Sequence, residues 1–284
     1  MADAWEPRLP PGRHIELRGR GTTFVRELAG PAGAPTVILL HGWTVTADLN
    51  WFPAYEPLAE QFRVVAMDHR GHGRGIRSRR RFRLADCADD VAALCEVLAV
   101  DRAIVTGYSM GGPVAMLTWH RHRERVGGLV LCATSPWFGS DRGRTVLSGL
   151  GPIATAARLT PPSVRQAIGA RLLGQRFEDD AFGNWARTEL QRGDPAAVAE
   201  AGVSLGRFDA RPWLADIDVP TVVVRTAADM VVPPRRQAWL AERIPGAACI
   251  DVDADHGGCV DAADRFVPAL VRACRSVDHA SRTG

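Results

Sequence analysis

The segment Gly107-Tyr108-Ser109-Met110-Gly111 places a serine between two glycines. It follows the predicted strand residues 102–106, and it precedes a segment with helical spacing. A G-x-S-x-G sequence at a strand-to-helix turn holds its serine on a sharp turn at the edge of a sheet. The N-H groups and positive partial charge of the following helix favour the oxyanion that forms when a hydroxyl attacks an acyl carbonyl. We therefore predict that Ser109 is a nucleophile.

A serine hydroxyl needs a histidine base, and that histidine needs a carboxylate that fixes its tautomer. Asp229 follows the predicted strand residues 221–225, and His256 follows the predicted strand 248–253. All three groups are thus predicted in loops at the carboxyl ends of parallel strands, which is where such sheets place their ligands. The spacing predicts a catalytic triad of Ser109, Asp229 and His256.

Other acidic residues compete for the role of Asp229. Asp253 and Asp255 are nearer to His256 in sequence, but side chains one residue apart point away from each other, so Asp229 is the favoured partner. The alternative that Asp255 adjusts the pKa of the His256 imidazole is left open. A metal site is the weaker alternative, because neither Asp253, Asp255 and His256 nor His120 and His122 form a compelling set of ligands. No cofactor is predicted.

A second backbone N-H is needed opposite the nucleophile to complete an oxyanion hole. His41-Gly42-Trp43 directly follows the apolar run 37–40, so we predict that the backbone N-H groups of Trp43 and Met110 form this hole. His41 itself is interpreted as a structural residue of the loop. The predicted substrate-binding residues are Trp43, Tyr108, Trp137 and Phe138.

The elements that position these residues alternate between short apolar runs and amphipathic segments, which predicts an α/β fold with a mostly parallel sheet of eight strands and helices on both faces. The first two strands have no helix between them and are expected to form a hairpin at one edge. The strands are predicted at 14–18, 22–28, 35–41, 63–68, 102–108, 128–134, 219–226 and 248–253, and the helices at 51–62, 84–98, 111–122, 233–243 and 262–274.

Residues 135–211 interrupt the alternation and contain helical patterns separated by Gly-Pro and Pro-Pro breaks. We interpret them as a helical cap inserted after the sixth strand, with a core domain formed by residues 1–134 and 212–284. Such a cap would cover Ser109 and select a moderately hydrophobic guest. Besides Pro136, Trp137 and Phe138, the apolar candidates for lining its pocket are Ile153, Leu159, Ile168, Leu172, Leu173, Phe177, Phe182, Trp185 and Leu190.

Composition excludes several kinds of chemistry. The 284 residues carry a formal charge of +3, and all 35 basic residues are arginine, which excludes lysine Schiff bases and Walker-type phosphate loops. Seven arginines lie in 70–83, which we interpret as a solvated loop rather than a site for an anionic substrate, a membrane or nucleic acid. The absence of CxxC pairs, of a signal-peptide pattern and of a long apolar run predicts a cytoplasmic protein with reduced thiols and no membrane insertion.

With these motifs in place, the chain resembles members of the α/β-hydrolase superfamily that have a lid after the sixth core strand. The resemblance covers about 24–274 and includes the elbow at Ser109, His41-Gly42-Trp43, the turn Asp68-His-Arg-Gly-His-Gly73 and the start of the helix at 84. It implies the same nucleophile, base and orienting acid as the residues do. The chain departs from relatives at Asp255, where a glycine is frequent, and at 226–228, where a glycine commonly precedes the acid.

A serine at the elbow implies an acyl-enzyme, because dehalogenases and epoxide hydrolases of this superfamily use an aspartate there. The predicted function is hydrolysis of a carboxylic ester of a moderately hydrophobic small molecule. Two alternatives stay open: cleavage of a lactone or of a C-C bond by the same triad, as in enol-lactonases and dienone hydrolases, and a receptor-like protein with low turnover. The predicted partner is therefore a small ester-like molecule, and the oligomeric state is left open.

Overall fold

One eight-stranded sheet organises the protein. The computed structural model describes residues 7–139, 147, 150–161, 163–164, 178 and 180–283. The strand order is β1-β2-β4-β3-β5-β6-β7-β8; β2 runs antiparallel to β1 and β4, and every other neighbouring pair is parallel. The predicted eight strands, the parallel sheet and the edge hairpin are thus confirmed. The strands are β1 (Gly12–Leu17), β2 (Gly21–Leu28), β3 (Thr36–Leu40), β4 (Arg63–Met67), β5 (Ala103–Tyr108), β6 (Val126–Cys132), β7 (Thr221–Thr226) and β8 (Ala248–Val252).

The central strands are buried on both faces, since every residue of β3 and of β5 is buried. Parallel strands must be covered on both sides, which explains why their sequences are continuous apolar runs. The helices are α1 (Ala47–Trp51), α2 (Tyr55–Ala59), α3 (Leu84–Val97), α4 (Gly111–Arg121), α5 (Leu150–Leu159), α6 (Ala181–Gln191), α7 (Pro195–Arg207), α8 (Pro234–Arg243), α9 (Gly258–Asp261) and α10 (Ala263–Thr283).

Helices cover the sheet on both faces, as predicted. Apolar residues of α3, α4 and α8 form one core with one face, and those of α1, α2 and α10 form a second core with the other face. In addition, α6 forms a small cluster of its own, in which Leu190 packs with Leu49 of α1. The two large cores fix the sheet whose carboxyl edge carries the candidate site.

Two helix predictions differ from the structure. The single helix predicted at 51–62 is two short helices, α1 and α2, because a proline at 53 has no backbone N-H with which to continue the hydrogen bonds of α1. The last helix extends beyond 274 to Thr283, and Val277 in this extension is buried against Gly128 of β6.

Between β6 and β7, the described residues of 135–211 form the helices α5, α6 and α7. The two ends of this segment lie together, because Trp137 and Asp209 form an antiparallel bridge and Ala210 N donates to Pro136 O at 2.8 Å. Within the described ranges, no helix has the length and apolar character needed to cross a membrane. All six cysteines are free thiols, and only Cys249 among them is exposed.

Candidate active site

Ser109 lies on a strained turn between β5 and α4. Its φ angle is +51°, a left-handed conformation that costs a non-glycine residue about 1–3 kcal/mol. Hydrogen bonds hold the turn: Ser109 N donates to Cys132 O at 2.9 Å, and Thr134 Oγ1 donates to Ser109 O at 2.7 Å. The backbone is therefore fixed while the side-chain hydroxyl remains available.

The two glycines of the motif are required by close backbone approaches. A Cβ on Gly107 would lie 2.2 Å from Gly111 O, and a Cβ on Gly111 would lie 2.1 Å from Leu40 O. Neither backbone oxygen can yield without breaking the turn or the central strand β3. The G-x-S-x-G pattern is thus a packing requirement of the turn that presents Ser109.

Ser109, His256 and Asp229 lie together in a hydrogen-bonded chain. His256 Nε2 is 3.0 Å from Ser109 Oγ, and His256 Nδ1 is 2.8 Å from Asp229 Oδ2. Because the Asp229 carboxylate can only accept, Nδ1 carries the proton and Nε2 is left to accept from the Ser109 hydroxyl. Such an arrangement can move a proton from Ser109 to His256.

Asp229 is buried and receives five hydrogen bonds. Its Oδ1 accepts from the backbone N-H groups of Val231 and Val232, at 2.8 and 2.7 Å. Its Oδ2 accepts from His256, from Thr226 Oγ1 at 2.7 Å and from Gln237 Nε2 at 3.2 Å. Burial raises the pKa of Asp229, but the hydrogen bonds and charge of these partners, His256 first, outweigh it and lower the pKa below its usual value. The group is thus held as a carboxylate.

The competing acids do not reach the imidazole by hydrogen bonds. The Asp253 side chain is 84% exposed and lies 3.2 Å from Arg265 Nη1. Asp255 Oδ1 accepts from the backbone N-H groups of His256 and Met230, at 2.6 and 2.9 Å. Asp255 therefore ties the His256 loop to the loop that carries Asp229.

Tyr108 also holds the histidine loop. Its hydroxyl donates to the backbone oxygen of His256 at 2.8 Å, and its ring lies edge-on to Trp51 and Phe266. Burial raises the pKa of Tyr108 well above its usual value of 10, so the phenol stays a neutral donor. The sequence does not predict this contact, since it assigns Tyr108 to substrate binding alone.

The loop after β3 lies beside the nucleophile. A Cβ on Gly42 would be 3.5 Å from Ser109 Cβ, and Gly42 N donates to Asn50 Oδ1 at 2.8 Å. The Trp43 indole donates to Val198 O of α7 at 2.7 Å, so this loop contacts the helices between β6 and β7. Met110 directly follows Ser109 and precedes the first residue of α4.

A cavity of about 200 Å³ opens over Ser109 and His256. Of the four predicted substrate-binding residues, Trp43 and Tyr108 line it. The structure places the other two elsewhere: Trp137 packs edge-on against Trp239 of α8, and Phe138 packs against the core that α3, α4 and α8 form with the sheet. The described lining residues are Gly42, Trp43, Val45, Leu49, Asn50, Tyr108, Ser109, Phe182, His256, Gly257, Cys259, Val260 and Asp261.

The other apolar candidates of the segment 135–211 divide in the same way. Phe182 of α6 lines the cavity, whereas Ile153 and Leu159 of α5 are 58% and 83% exposed. Leu190 is buried against Leu49, and Trp185 packs edge-on against Phe52. Four further candidates, Ile168, Leu172, Leu173 and Phe177, lie outside the described residues.

His41, in the loop after β3, belongs to a buried group of three histidines with His69 and His72. Its Nδ1 lies 2.8 Å from Gly42 O, its Nε2 accepts from His69 N at 2.9 Å, and its ring is 5.5 Å from that of His72. Burial lowers the pKa of His41 to about 4 and that of His72 to about 3. The interpretation of His41 as a structural residue therefore agrees with its contacts.

These histidines predict loss of stability in acid. Below pH 6.5 the unfolded chain protonates His41 and His72 while the folded protein keeps them neutral, so stability present above pH 6.5 is lost as the pH falls toward 4 and 3. We expect the free energy of unfolding to fall by about 1.4 kcal/mol per pH unit for each histidine. Urea titrations between pH 7 and 4 measure it; His72→Gln should reduce the slope, and the exposed His279→Gln should not. If His72→Gln had the same slope as the wild type, the loss of stability in acid could not be assigned to His72.

Known proteins resemble this chain over most of its length. The family model for the alpha/beta hydrolase fold matches residues 35–145. A pimeloyl-[acyl-carrier protein] methyl ester esterase of Neisseria meningitidis is 30% identical over 248 residues, which is 85% of this chain and 93% of that protein.

Solved structures agree with this match. An enol-lactonase from Burkholderia xenovorans LB400 is 25% identical with a TM-score of 0.76, covering 93% of this chain and all of that one. A hydrolase from Pseudomonas aeruginosa PA01 is also 25% identical with a TM-score of 0.76, covering 92% and 97%. The chain therefore belongs to the family of enzymes with the alpha/beta hydrolase fold.

Proposed function

We propose that Ser109, His256 and Asp229 form the catalytic triad of a serine esterase. Ser109 Oγ attacks the ester carbonyl as its proton passes to His256 Nε2, and His256 then gives that proton to the departing alcohol. Water activated by His256 cleaves the resulting acyl-enzyme and releases the acid. The observation that carries this proposal is the pair of contacts made by His256, 3.0 Å to Ser109 Oγ and 2.8 Å to Asp229.

The backbone N-H groups of Met110 and Trp43 are proposed to bind the oxyanion. Met110 lies at the N-terminus of α4, where the helix dipole favours negative charge. Trp43 lines the same cavity as Ser109, and the bond from Gly42 to Asn50 fixes the orientation of its loop. An oxyanion between these two groups would be stabilised by donors that need no rearrangement.

The protein is an ester-cleaving hydrolase, and the cavity favours a small, moderately hydrophobic acyl group. Its apolar wall is supplied by Val45, Leu49, Phe182 and Val260. The Neisseria relative is named for a methyl ester, which supports ester hydrolysis as the reaction class.

Residues 135–211 are proposed to act as a cap on a core formed by 1–134 and 212–284. This division is supported by Phe182 of α6, which lines the cavity, and by the hydrogen bond from Trp43 to α7. In this arrangement the cap sets the size of the acyl group. A cytoplasmic location is proposed on the free thiols of the chain.

Lactone hydrolysis is the second candidate function. It is favoured by the similarity to the Burkholderia enol-lactonase, and ring opening by Ser109 would use the same proton transfers. A lactone differs in that the leaving alcohol stays attached to the acyl group. Comparing kcat/KM for an enol lactone with that for an open ester of equal carbon number separates the two.

Covalent labelling tests the proposed mechanism. A fluorophosphonate should modify wild-type protein with one equivalent at Ser109, because the activated hydroxyl attacks phosphorus as it attacks an ester. Peptide mass spectrometry identifies the labelled residue, and loss of p-nitrophenyl ester hydrolysis should follow the extent of labelling. His256→Ala should slow labelling by about 100-fold or more. Full ester turnover after complete labelling would rule out Ser109 as the nucleophile.

A further inference from the structure

The arginine-rich segment 70–83 divides into two parts that differ in their contacts. Arg70 is buried and pairs with Asp90 at 2.6 Å, and Arg74 pairs with Asp48 at 2.6 Å. Arg77 donates to backbone oxygens of Gly73 and Gly75. These three side chains therefore hold the turn after β4 in place.

The other four arginines of the segment, Arg79, Arg80, Arg81 and Arg83, are exposed. In the part of the chain that the structure describes, none of their guanidinium groups has a carboxylate within 4.0 Å. Arg207, at the last position of α7, is likewise exposed and has no carboxylate within this distance. The positive charge of these five arginines is therefore not neutralised by ion pairs with the described residues.

Three of these arginines surround one cleft. Arg81 and Arg83 from the loop and Arg207 from α7 line a cavity of about 430 Å³. Among its described lining residues the single acid is Glu200, and this carboxylate is already engaged: Oε2 accepts from Phe82 N and from Arg158 Nη2, both at 2.8 Å, and Oε1 accepts from Arg158 Nε. Glu200 attracts Arg81 electrostatically, but Arg158 balances its charge.

The walls of the cleft are held in place from both sides. Arg158 of α5 donates to the backbone oxygens of Arg79 and Arg80, at 3.0 and 2.8 Å. Leu84 N donates to Ser204 Oγ of α7 at 3.3 Å. The backbone that carries the three guanidinium groups is thus fixed before any ligand binds, which reduces the entropy lost on binding.

We propose that this cleft is a second ligand site, distinct from the cavity over Ser109, for a small molecule that carries a diphosphate or several phosphate groups. Its volume is that of a small-molecule site rather than of a flat macromolecular interface. Planar guanidinium groups bind phosphate oxygens through paired hydrogen bonds. Among the described residues, the guanidinium groups of Arg81, Arg83 and Arg207 have no carboxylate within 4.0 Å, and their three charges exceed what one carboxylate supplies. A terminal phosphate group alone carries a charge of about −1.5 to −2 at pH 7, and each further phosphate group adds to it.

Binding of inorganic pyrophosphate to the full chain tests the site. Calorimetric titration at constant ionic strength should give saturable binding to the wild type, and pyrophosphate should raise the Tm because it binds the folded state. Arg81→Gln/Arg207→Gln should weaken binding at least about tenfold, since it removes two charge-assisted donors. Arg272→Gln/Arg275→Gln, which removes two exposed charges of α10, is the matched control and should bind as the wild type does.

The double variant is expected to change ligand binding without changing the stability of the ligand-free protein. Among the described residues Arg81 and Arg207 form no ion pairs, so the double variant should match the wild-type Tm in the absence of pyrophosphate, and weaker binding then reports the site itself. Equal affinity in the double variant, or no binding to the wild type at about 10 mM pyrophosphate, would overturn the proposal. Sedimentation with phosphatidic acid vesicles but not with phosphatidylcholine vesicles, without pyrophosphate binding, would assign the arginines to a membrane surface instead and also overturn it.

Discussion

Replacing Ser109 with alanine is expected to lower kcat for p-nitrophenyl esters by about 10⁵- to 10⁶-fold. The variant loses the only hydroxyl that lies 3.0 Å from His256 Nε2 among the described residues, so no acyl-enzyme can form. The proposed oxyanion donors and the cavity remain, which leaves a small residual rate from water attack. The effect falls on kcat because ester binding does not need the hydroxyl.

Steady-state kinetics with p-nitrophenyl esters of increasing acyl chain length measure this effect. The chain length with the highest kcat/KM also shows which size of acyl group the cavity accepts. Ser281→Ala is the matched control, since its exposed hydroxyl bonds only to Asp278 O among the described groups and should leave kcat unchanged. The folded state of Ser109→Ala is checked by its Tm, which should not fall, because alanine keeps the small side chain of the turn. Equal, negligible rates for wild type and variant would contradict the esterase assignment and favour a binding protein or another substrate class.

The sequence predicts the positions of Ser109, Asp229 and His256 because each depends on local chemistry. The turn that carries Ser109 can be identified from its two glycines, because a Cβ at either position would lie too close to Gly111 O or Leu40 O. The acid and base can be identified because they lie in the loops that follow the predicted strands β7 and β8. Since parallel strands end at one edge, loops far apart in sequence meet there.

The contacts that support the triad are not predictable in the same way. Gln237 reaches Asp229 from the first turns of α8, and Tyr108 reaches the backbone oxygen of His256 across 148 residues. Both contacts depend on how a helix or a strand is rotated, which sequence spacing does not fix. The placement of Trp137 against Trp239 rather than in the cavity has the same origin, because it depends on how the segment after β6 leaves the sheet.

The sequence predicts the presence of helices better than it predicts where they begin and end. The proline at 53 is visible in the sequence, yet apolar spacing across it suggested one helix at 51–62 where the chain forms α1 and α2. The short helix α1 begins at Ala47, before the predicted start at 51, and therefore includes a residue that contacts the site. Asn50 lies at the end of α1, where its side chain accepts from Gly42 N and fixes the loop beside Ser109.

Replacing Asp229 with asparagine is expected to lower kcat by about 10⁴-fold without unfolding the protein. The carboxylate accepts from five donors, and an amide has only one acceptor atom. If the amide NH₂ replaced Oδ1, it would face two backbone N-H groups, those of Val231 and Val232, which cannot turn away. The amide oxygen therefore takes the Oδ1 position, and the NH₂ group takes the position of Oδ2.

In that orientation the amide NH₂ faces His256 Nδ1 and donates to it. The imidazole must then carry its proton on Nε2, where it can no longer accept from Ser109 Oγ. The base is present and correctly placed but in the wrong tautomer, so kcat falls while KM changes little. Asp255→Asn is the matched control: its contacts to His256 N and Met230 N need one acceptor oxygen, which asparagine retains, so kcat should stay within about threefold. Activity of Asp229→Asn within tenfold of wild type would mean that another acid orients His256.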